Sequence, residues 1–144
     1  MDKHSVTVEK MFELPANEIW NAITDNNELK NWYFKLEDFQ PKVGFKFDFM
    51  GGPDEGPQYL HLCEVTEVVE GKKIAYTWRY DNYPGNSVVT WELLDKETQT
   101  LVRITHTGLE TFAEAGKDFT KENFKEGWTY FLNTALKDYL ETED

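Results

Sequence analysis

Hydrophobic and polar residues alternate through the middle of the chain. Five segments carry a hydrophobic residue at every second position, as strands with one buried face do: 45–49, 59–68, 74–80, 89–93 and 100–107. The clearest case is Phe45, Phe47 and Phe49, which alternate with Lys46 and Asp48. Because short turn segments join these strands, the pattern predicts an antiparallel meander with one packed face and one solvated face.

Before the meander, the pattern predicts one more strand and two short helices. Residues 5–13 alternate as a strand does, and Pro15 suits the first turn of a helix. Asp25 and Glu28 have the spacing of a capping box, which predicts a second helix from this point. The apolar residues of that second helix are Leu29, Trp32 and Tyr33.

The last quarter of the chain predicts one long amphipathic helix over residues 121–140, capped by Thr120. Its apolar face consists of Phe124, Trp128, Phe131, Leu132, Ala135, Leu136 and Tyr139. We expect this face to pack on the sheet as part of the core, so that the helix is not a removable lid. Gly127 lies inside the helix, where glycine costs about 1 kcal/mol relative to alanine, and we therefore expect it to allow a close approach to a neighbouring element.

Composition and charge narrow the function classes. The chain has 144 residues, 40% of them hydrophobic, which predicts one folded domain over 1–144. A net charge of −12 argues against nucleic acid and against anionic membrane surfaces, because both attract clustered Lys and Arg. The single cysteine, Cys63, forms no internal disulfide, and the N-terminal residues lack an apolar signal core. We therefore expect a cytoplasmic monomer or weak homodimer.

The order of elements and several motifs resemble a known superfamily. Residues 14–20 (Leu-Pro-Ala-Asn-Glu-Ile-Trp), residues 100–108 (Thr-Leu-Val-Arg-Ile-Thr-His-Thr-Gly) and the Gly127-Trp128 pair in the last helix carry the resemblance. Together they resemble the START and Bet v 1-like (SRPBCC) superfamily, in the branch of the C-terminal domain of the activator of the heat-shock-protein-90 ATPase. The resemblance implies an α+β helix-grip fold, in which an antiparallel sheet wraps a long C-terminal helix. The superfamily hosts lipid carriers, hormone receptors, cyclases and co-chaperones, so it implies a fold more than a ligand.

His106 is the first candidate for chemistry. It alternates with Val102 and Ile104, so its ring should point toward the C-terminal helix, where burial lowers the pKa of an imidazole. It could anchor a ligand or act as an acid or base. Alternatively, it could be a neutral core histidine bonded to a backbone carbonyl or a tyrosine hydroxyl.

Two further polar residues lie on apolar faces of predicted strands. Lys10 must pair with an acid, extend to the sheet edge, or face a cavity where it could contact an anionic ligand. His61 and Cys63 share a face two residues apart, but no carboxylate stands at a recognisable ligand spacing. We expect no metal site, no cofactor and an inert buried thiol, and we treat Lys10 and His61 as possible polar contacts for a ligand.

Aromatic residues are the remaining signal. They should converge between the sheet and the last helix, where they either fill the space or line a mostly apolar pocket. The candidate lining residues are Phe45, Phe47, Phe49, Tyr76, Trp78, Trp91, His106, Trp128, Phe131 and Tyr139.

Three hypotheses for function follow. No catalytic motif is present, so the first is a binding module whose internal cavity holds a small apolar or aromatic molecule, without chemistry of its own. The second, implied by the resemblance, is a co-chaperone-like domain that binds a chaperone or another protein. The third is a cavity enzyme that uses His106 as its acid or base.

Overall fold

The protein folds into one six-stranded antiparallel sheet and a small set of helices. The computed structural model describes residues 5–33, 39–51, 58–112 and 119–142. The strands are β1 (Val6–Phe12), β2 (Lys46–Gly51), β3 (Tyr59–Val69), β4 (Lys73–Tyr80), β5 (Ser87–Lys96) and β6 (Gln99–Thr107). Their order in the sheet is β1-β6-β5-β4-β3-β2, with every pair antiparallel. The predicted meander is confirmed, and β1 extends the sheet as an edge strand by pairing with β6.

The helices are α1 (Ala16–Thr24), α2 (Asn26–Trp32) and a C-terminal helix that runs from Lys121 to Thr142. This last helix has three consecutive parts: α3 (Lys121–Tyr130), a π-helical segment (Phe131–Leu136) and α4 (Lys137–Thr142). At its start, Thr120 Oγ1 accepts the backbone N–H of Asn123, so the predicted cap is confirmed. None of the helices in these ranges is long and apolar enough to cross a membrane. The molecule is the predicted α+β helix-grip fold.

The packed face of the sheet is the predicted one. Register pairs such as Val8 with Ile104 and Phe47 with Cys63 place inward residues opposite one another, where cross-strand side chains contact. The C-terminal helix covers this face with Leu132 and Leu136, both fully buried. The helix therefore contributes side chains to the core.

Two local expectations need correction. The capping box is formed only in part. Asp25 Oδ1 accepts the Asn27 N–H at 2.8 Å and so caps α2, while Glu28 Oε1 accepts the Tyr139 hydroxyl at 3.1 Å and ties α2 to the end of the C-terminal helix. The Asp25 N–H donates instead to the carbonyl of Asn21. Gly127 is exposed, and a Cβ added there would meet nothing within 4 Å, so it makes no close approach.

Candidate functional site between the sheet and the C-terminal helix

The interior between the sheet and the C-terminal helix is an aromatic shell. Trp128 on the helix contacts Trp78 and Trp91 on the sheet, with ring centroids 5.2 and 6.2 Å apart. At the neighbouring position, Phe131 lies 5.1 Å from Tyr33. These separations are the usual ones for edge-to-face pairs of aromatic rings, so side chains from the sheet, the helix and the end of α2 enclose one apolar region.

Three tyrosines carry polar groups into this shell, and we call Tyr33, Tyr76 and Tyr80 the phenol cluster. The hydroxyls of Tyr33 and Tyr76 lie 2.9 Å apart. Trp91 Nε1 donates to the Tyr76 hydroxyl at 3.0 Å, and Trp78 Nε1 donates to the Tyr80 hydroxyl at 2.8 Å. Because an indole N–H can only donate, both hydroxyl oxygens serve as acceptors.

Cys63 lies in the middle of the phenol cluster. Along β3 it lies between His61, which pairs with Tyr80 of β4, and Val65, which pairs with Tyr76. Burial raises the pKa of each of the three phenols, and the interaction with the Cys63 thiol raises each one further. Burial also raises the pKa of Cys63. The cluster is therefore a set of neutral polar groups at neutral pH, and the predicted burial of Cys63 is confirmed.

His106 belongs to a second hydrogen-bonded set, which is structural in character. It is fully buried, so the predicted inward orientation is confirmed. Trp128 Nε1 donates to Nδ1 at 3.0 Å, and Ser87 Oγ lies 2.7 Å from Nε2. The single Ser87 hydrogen is donated to the Trp78 carbonyl, so Nε2–H must donate to Ser87. Both ring nitrogens are thus bonded inside the protein, although the partners are a serine and an indole and not the carbonyl or tyrosine considered above.

His61 lies beside the phenol cluster. Its ring stacks on Phe49 at 4.5 Å and meets the Tyr80 ring edge-on at 4.7 Å. Nδ1 hydrogen-bonds the Tyr59 carbonyl at 2.9 Å. Burial lowers the pKa of His61 to about 4, so the ring is neutral at physiological pH.

Lys10 lies elsewhere, on the edge strand β1. It is half-buried on the inward face, and its ammonium lies 5.7 Å from the centre of the Phe12 ring, within the range of a cation–π contact. The structure therefore gives Lys10 an aromatic neighbour at the sheet edge. The geometry does not bring it to the phenol cluster.

The predicted lining residues divide into a central and a peripheral group. The central group is buried and in contact with the shell: Phe47, Phe49, Tyr76, Trp78, Trp91, His106 and Trp128. Phe131 joins them while keeping partial exposure. Phe45 packs at the margin against Phe39 and Phe47, and Tyr139 is held at the other margin by Glu28.

Three residues of the interior are missing from the predicted set. Tyr80 alternates with Tyr76 and Trp78 in β4, so strand parity alone could have included it. Ser87 shares the inward face of β5 with Val89 and Trp91, so the same strand alternation could have predicted it. Tyr33 follows α2 in an extended conformation (φ −112°, ψ −161°), and only tertiary packing places its hydroxyl against Tyr76.

A separate pocket of about 300 Å³ lies on the opposite face of the sheet. Its lining residues are Lys46, Phe47, Asp48, Leu62, Cys63, Glu64, Thr77 and Arg79. This lining carries two basic and two acidic side chains, and it shares Phe47 and Cys63 with the aromatic interior. In the described ranges, no group of three or more His, Cys, Asp or Glu side chains could hold a metal ion.

The family follows from a comparison with protein-family models. The model described as "Activator of Hsp90 ATPase homolog 1-like protein" matches residues 13–141. The chain belongs to this family. No curated protein matches the chain.

Solved structures give the same fold. Protein MLL2253 from Mesorhizobium loti is 28% identical, with a TM-score of 0.77, over 97% of this chain and 98% of that one. An HSP90 activator from Plasmodium falciparum is 25% identical, with a TM-score of 0.69, over 96% of each chain. DynU16, from the dynemicin biosynthetic locus, is 22% identical, with a TM-score of 0.78, over 98% of this chain and 48% of that one. At that last identity the likeness concerns the fold.

Proposed function

We propose that this protein is a binding module that holds a small apolar or aromatic molecule between its sheet and its C-terminal helix, without chemistry of its own. The observation that carries the proposal is the phenol cluster, where the hydroxyls of Tyr33 and Tyr76 meet at 2.9 Å and the Tyr80 hydroxyl accepts the Trp78 indole N–H within the same aromatic shell. Small-molecule sites commonly combine an apolar lining with a few convergent polar groups. The proposed lining is the predicted one, with Tyr33 and Tyr80 added to it.

Access to the interior is proposed beside Phe131. The rings of Tyr33 and Phe131 meet edge-to-face at 5.1 Å, and both residues keep partial exposure. Phe131 also begins the π-helical segment, and such local widenings of a helix frequently occur at functional sites. A ligand entering here would meet Phe49 and Trp91, which both contact Tyr33.

Thermal unfolding with a panel of naphthalene derivatives and medium-chain fatty acids tests the proposal. A ligand present at about 100 times its Kd adds about 2.7 kcal/mol to the free energy of unfolding, which raises the Tm of a domain of this size by several degrees. Phe131→Ala should change the shift, whereas Asn133→Ala, at an exposed position of the same helix, should leave it unchanged. A panel without any shift contradicts the proposal.

A second candidate function is a co-chaperone-like interaction with another protein. It is favoured by the family description and by the 25% identity to an HSP90 activator from Plasmodium falciparum. The charge of −12 suits a partner with a basic surface. Titration of the chain into a purified Hsp90, with its ATPase rate as the readout, tests this candidate. Stimulation that weakens as salt is raised supports it, and an unchanged rate opposes it.

The cavity-enzyme alternative receives less support from the geometry. A histidine that acts as acid or base needs a ring nitrogen within hydrogen-bond reach of the substrate. Both ring nitrogens of His106 are already hydrogen-bonded, Nδ1 to Trp128 and Nε2 to Ser87. Burial also lowers the pKa of His106 to about 3. A substrate would therefore have to displace one of these partners before any proton transfer.

A further inference from the structure

The hydroxyl of Tyr80 accepts one hydrogen bond within the protein but donates none to the described residues. Its oxygen accepts the Trp78 indole N–H at 2.8 Å, and the hydrogen of the hydroxyl has no acceptor in the part of the chain that the structure describes. Only 4% of the residue is exposed, so little of it is open to solvent. A buried donor without an acceptor is unfavourable, and a bound molecule could remove this penalty.

The direction of the hydrogen bonds makes Tyr80 a donor toward any ligand. The Trp78 indole can only donate, and donation into the phenol oxygen polarises the remaining O–H and strengthens it as a donor. The ligand group that meets it must therefore contain an acceptor atom. A ligand hydroxyl or amine that only donated would leave the Tyr80 hydrogen unpaired.

The surroundings of Tyr80 also restrict the charge and shape of the ligand. The ring packs against Phe119 at 4.4 Å, His61 at 4.7 Å and Phe112 at 5.6 Å. None of these groups carries a charge at neutral pH, because burial lowers the pKa of His61 to about 4. A carboxylate would lose its hydration without gaining a counter-charge, whereas a neutral carbonyl on an aromatic frame satisfies the donor and packs against the rings.

We propose that the Tyr80 hydroxyl determines the specificity of the interior site and selects neutral aromatic molecules that carry a carbonyl oxygen. This inference rests on the proposed function, because it assigns a ligand class to the same interior. Tyr80 acts by touching the ligand. Trp78 acts through Tyr80 and is a positioning residue.

Three matched probes test the inference: 2-acetylnaphthalene, which has a neutral carbonyl; 2-ethylnaphthalene, which has nearly the same shape without an acceptor; and 2-naphthoate, which is charged. Titration of the whole chain should show the ketone binding about tenfold more tightly than the hydrocarbon, the usual effect of one buried hydrogen bond. The naphthoate should bind more weakly than the ketone.

Tyr80→Phe should remove the preference for the ketone, whereas Tyr83→Phe should retain it. Tyr83 is a matched control because its ring also packs on Phe119, at 5.4 Å, but 40% of the residue is exposed. The infrared carbonyl stretch of the bound ketone gives an independent readout. It should shift to lower frequency in the unaltered protein and in Tyr83→Phe, and it should lose the shift in Tyr80→Phe. The infrared shift in the unaltered protein can be measured without any variant. It therefore tests the inference even if the Tyr80→Phe chain fails to fold.

The outcomes separate this inference from the proposed function. Equal binding of ketone and hydrocarbon, with no infrared shift, overturns the role of Tyr80 while the binding module stands. A preference that persists in Tyr80→Phe also overturns it, because another donor would then be responsible. If none of the probes binds and thermal unfolding with the wider panel shows no shift, the proposed function fails and the inference fails with it.

Discussion

Trp128 Nε1 donates a hydrogen bond to His106 Nδ1 over 3.0 Å and thereby joins the C-terminal helix to β6 inside the core. His106 passes the connection on through Ser87, whose hydroxyl donates to the Trp78 carbonyl. A buried polar set of this kind is stabilising only while each member keeps its partner. The same contact explains why a histidine is tolerated in an apolar interior.

Replacement of Trp128 by phenylalanine should destabilise the protein by about 1–3 kcal/mol, because it leaves His106 Nδ1 buried without its donor. Urea unfolding of the single variants Trp128→Phe and His106→Phe and of the double variant measures the coupling between the two residues. We expect the double variant to lose less free energy of unfolding than the sum of the two single variants. Strict additivity would show that the hydrogen bond contributes nothing.

Acid should destabilise the protein before its carboxylates titrate. Burial lowers the pKa of His106 to about 3 and that of His61 to about 4, while an unfolded histidine titrates near 6.5. Between these values the unfolded chain binds more protons, so stability is present above about pH 6.5 and is lost as the pH falls.

Each buried histidine should contribute a slope of up to about 1.4 kcal/mol per pH unit below pH 6.5. Urea unfolding at several values between pH 7.5 and pH 5 measures the combined slope, and His106→Phe should reduce it by about half. A slope that is the same with and without His106 would mean that the ring is not buried in its neutral form.

Gly127→Ala should stabilise the protein by about 1 kcal/mol, because the added methyl group meets open space and alanine favours the helix. The matched control is Gly85→Ala. Gly85 has φ +111°, and its added Cβ would lie 2.6 Å from the Thr111 carbonyl and collide with the Phe112 ring. Thermal unfolding should show an increase for the first variant and a clear decrease for the second. A decrease for Gly127→Ala would restore the close-approach interpretation.

Tyr139→Phe should cost about 0.5–1.5 kcal/mol through loss of the bond to Glu28, which joins the helix end to α2. Tyr130→Phe provides the control, because Tyr130 is 56% exposed. Chemical denaturation measures the free energy of unfolding of both variants. Equal stability of the two would remove the structural role assigned to Tyr139.

The strands and the inner face of the sheet could be predicted because strand periodicity is local. Tyr76 and Trp78, two positions apart in β4, show from the sequence alone which side chains of this strand face the core. The partners of polar groups could not be predicted in this way. Which residue bonds His106, and whether Glu28 caps its own helix or meets Tyr139, depends on contacts between distant segments.

For the C-terminal helix, the hydrophobic pattern predicts some features and misses others. Its start at Lys121 and its apolar face follow from Thr120 and from helical spacing. The π-helical segment from Phe131 to Leu136 leaves no mark in composition, since its residues are ordinary helix formers. The partial exposure of Phe131 next to Tyr33 therefore emerges only from the folded structure.

The side-chain N–H signals of the five tryptophans, recorded by ¹⁵N–¹H NMR with and without 2-acetylnaphthalene, test the central claim most directly. Trp78 and Trp91 donate to the phenol cluster, whereas Trp32 Nε1 donates to the Ala22 carbonyl. We expect saturable shifts for Trp78 and Trp91, and also for Trp32, because the Trp32 ring lies beside Tyr33 and Phe131 at the proposed entrance. Unchanged signals at all five tryptophans under saturating probe would contradict a binding site between the sheet and the C-terminal helix.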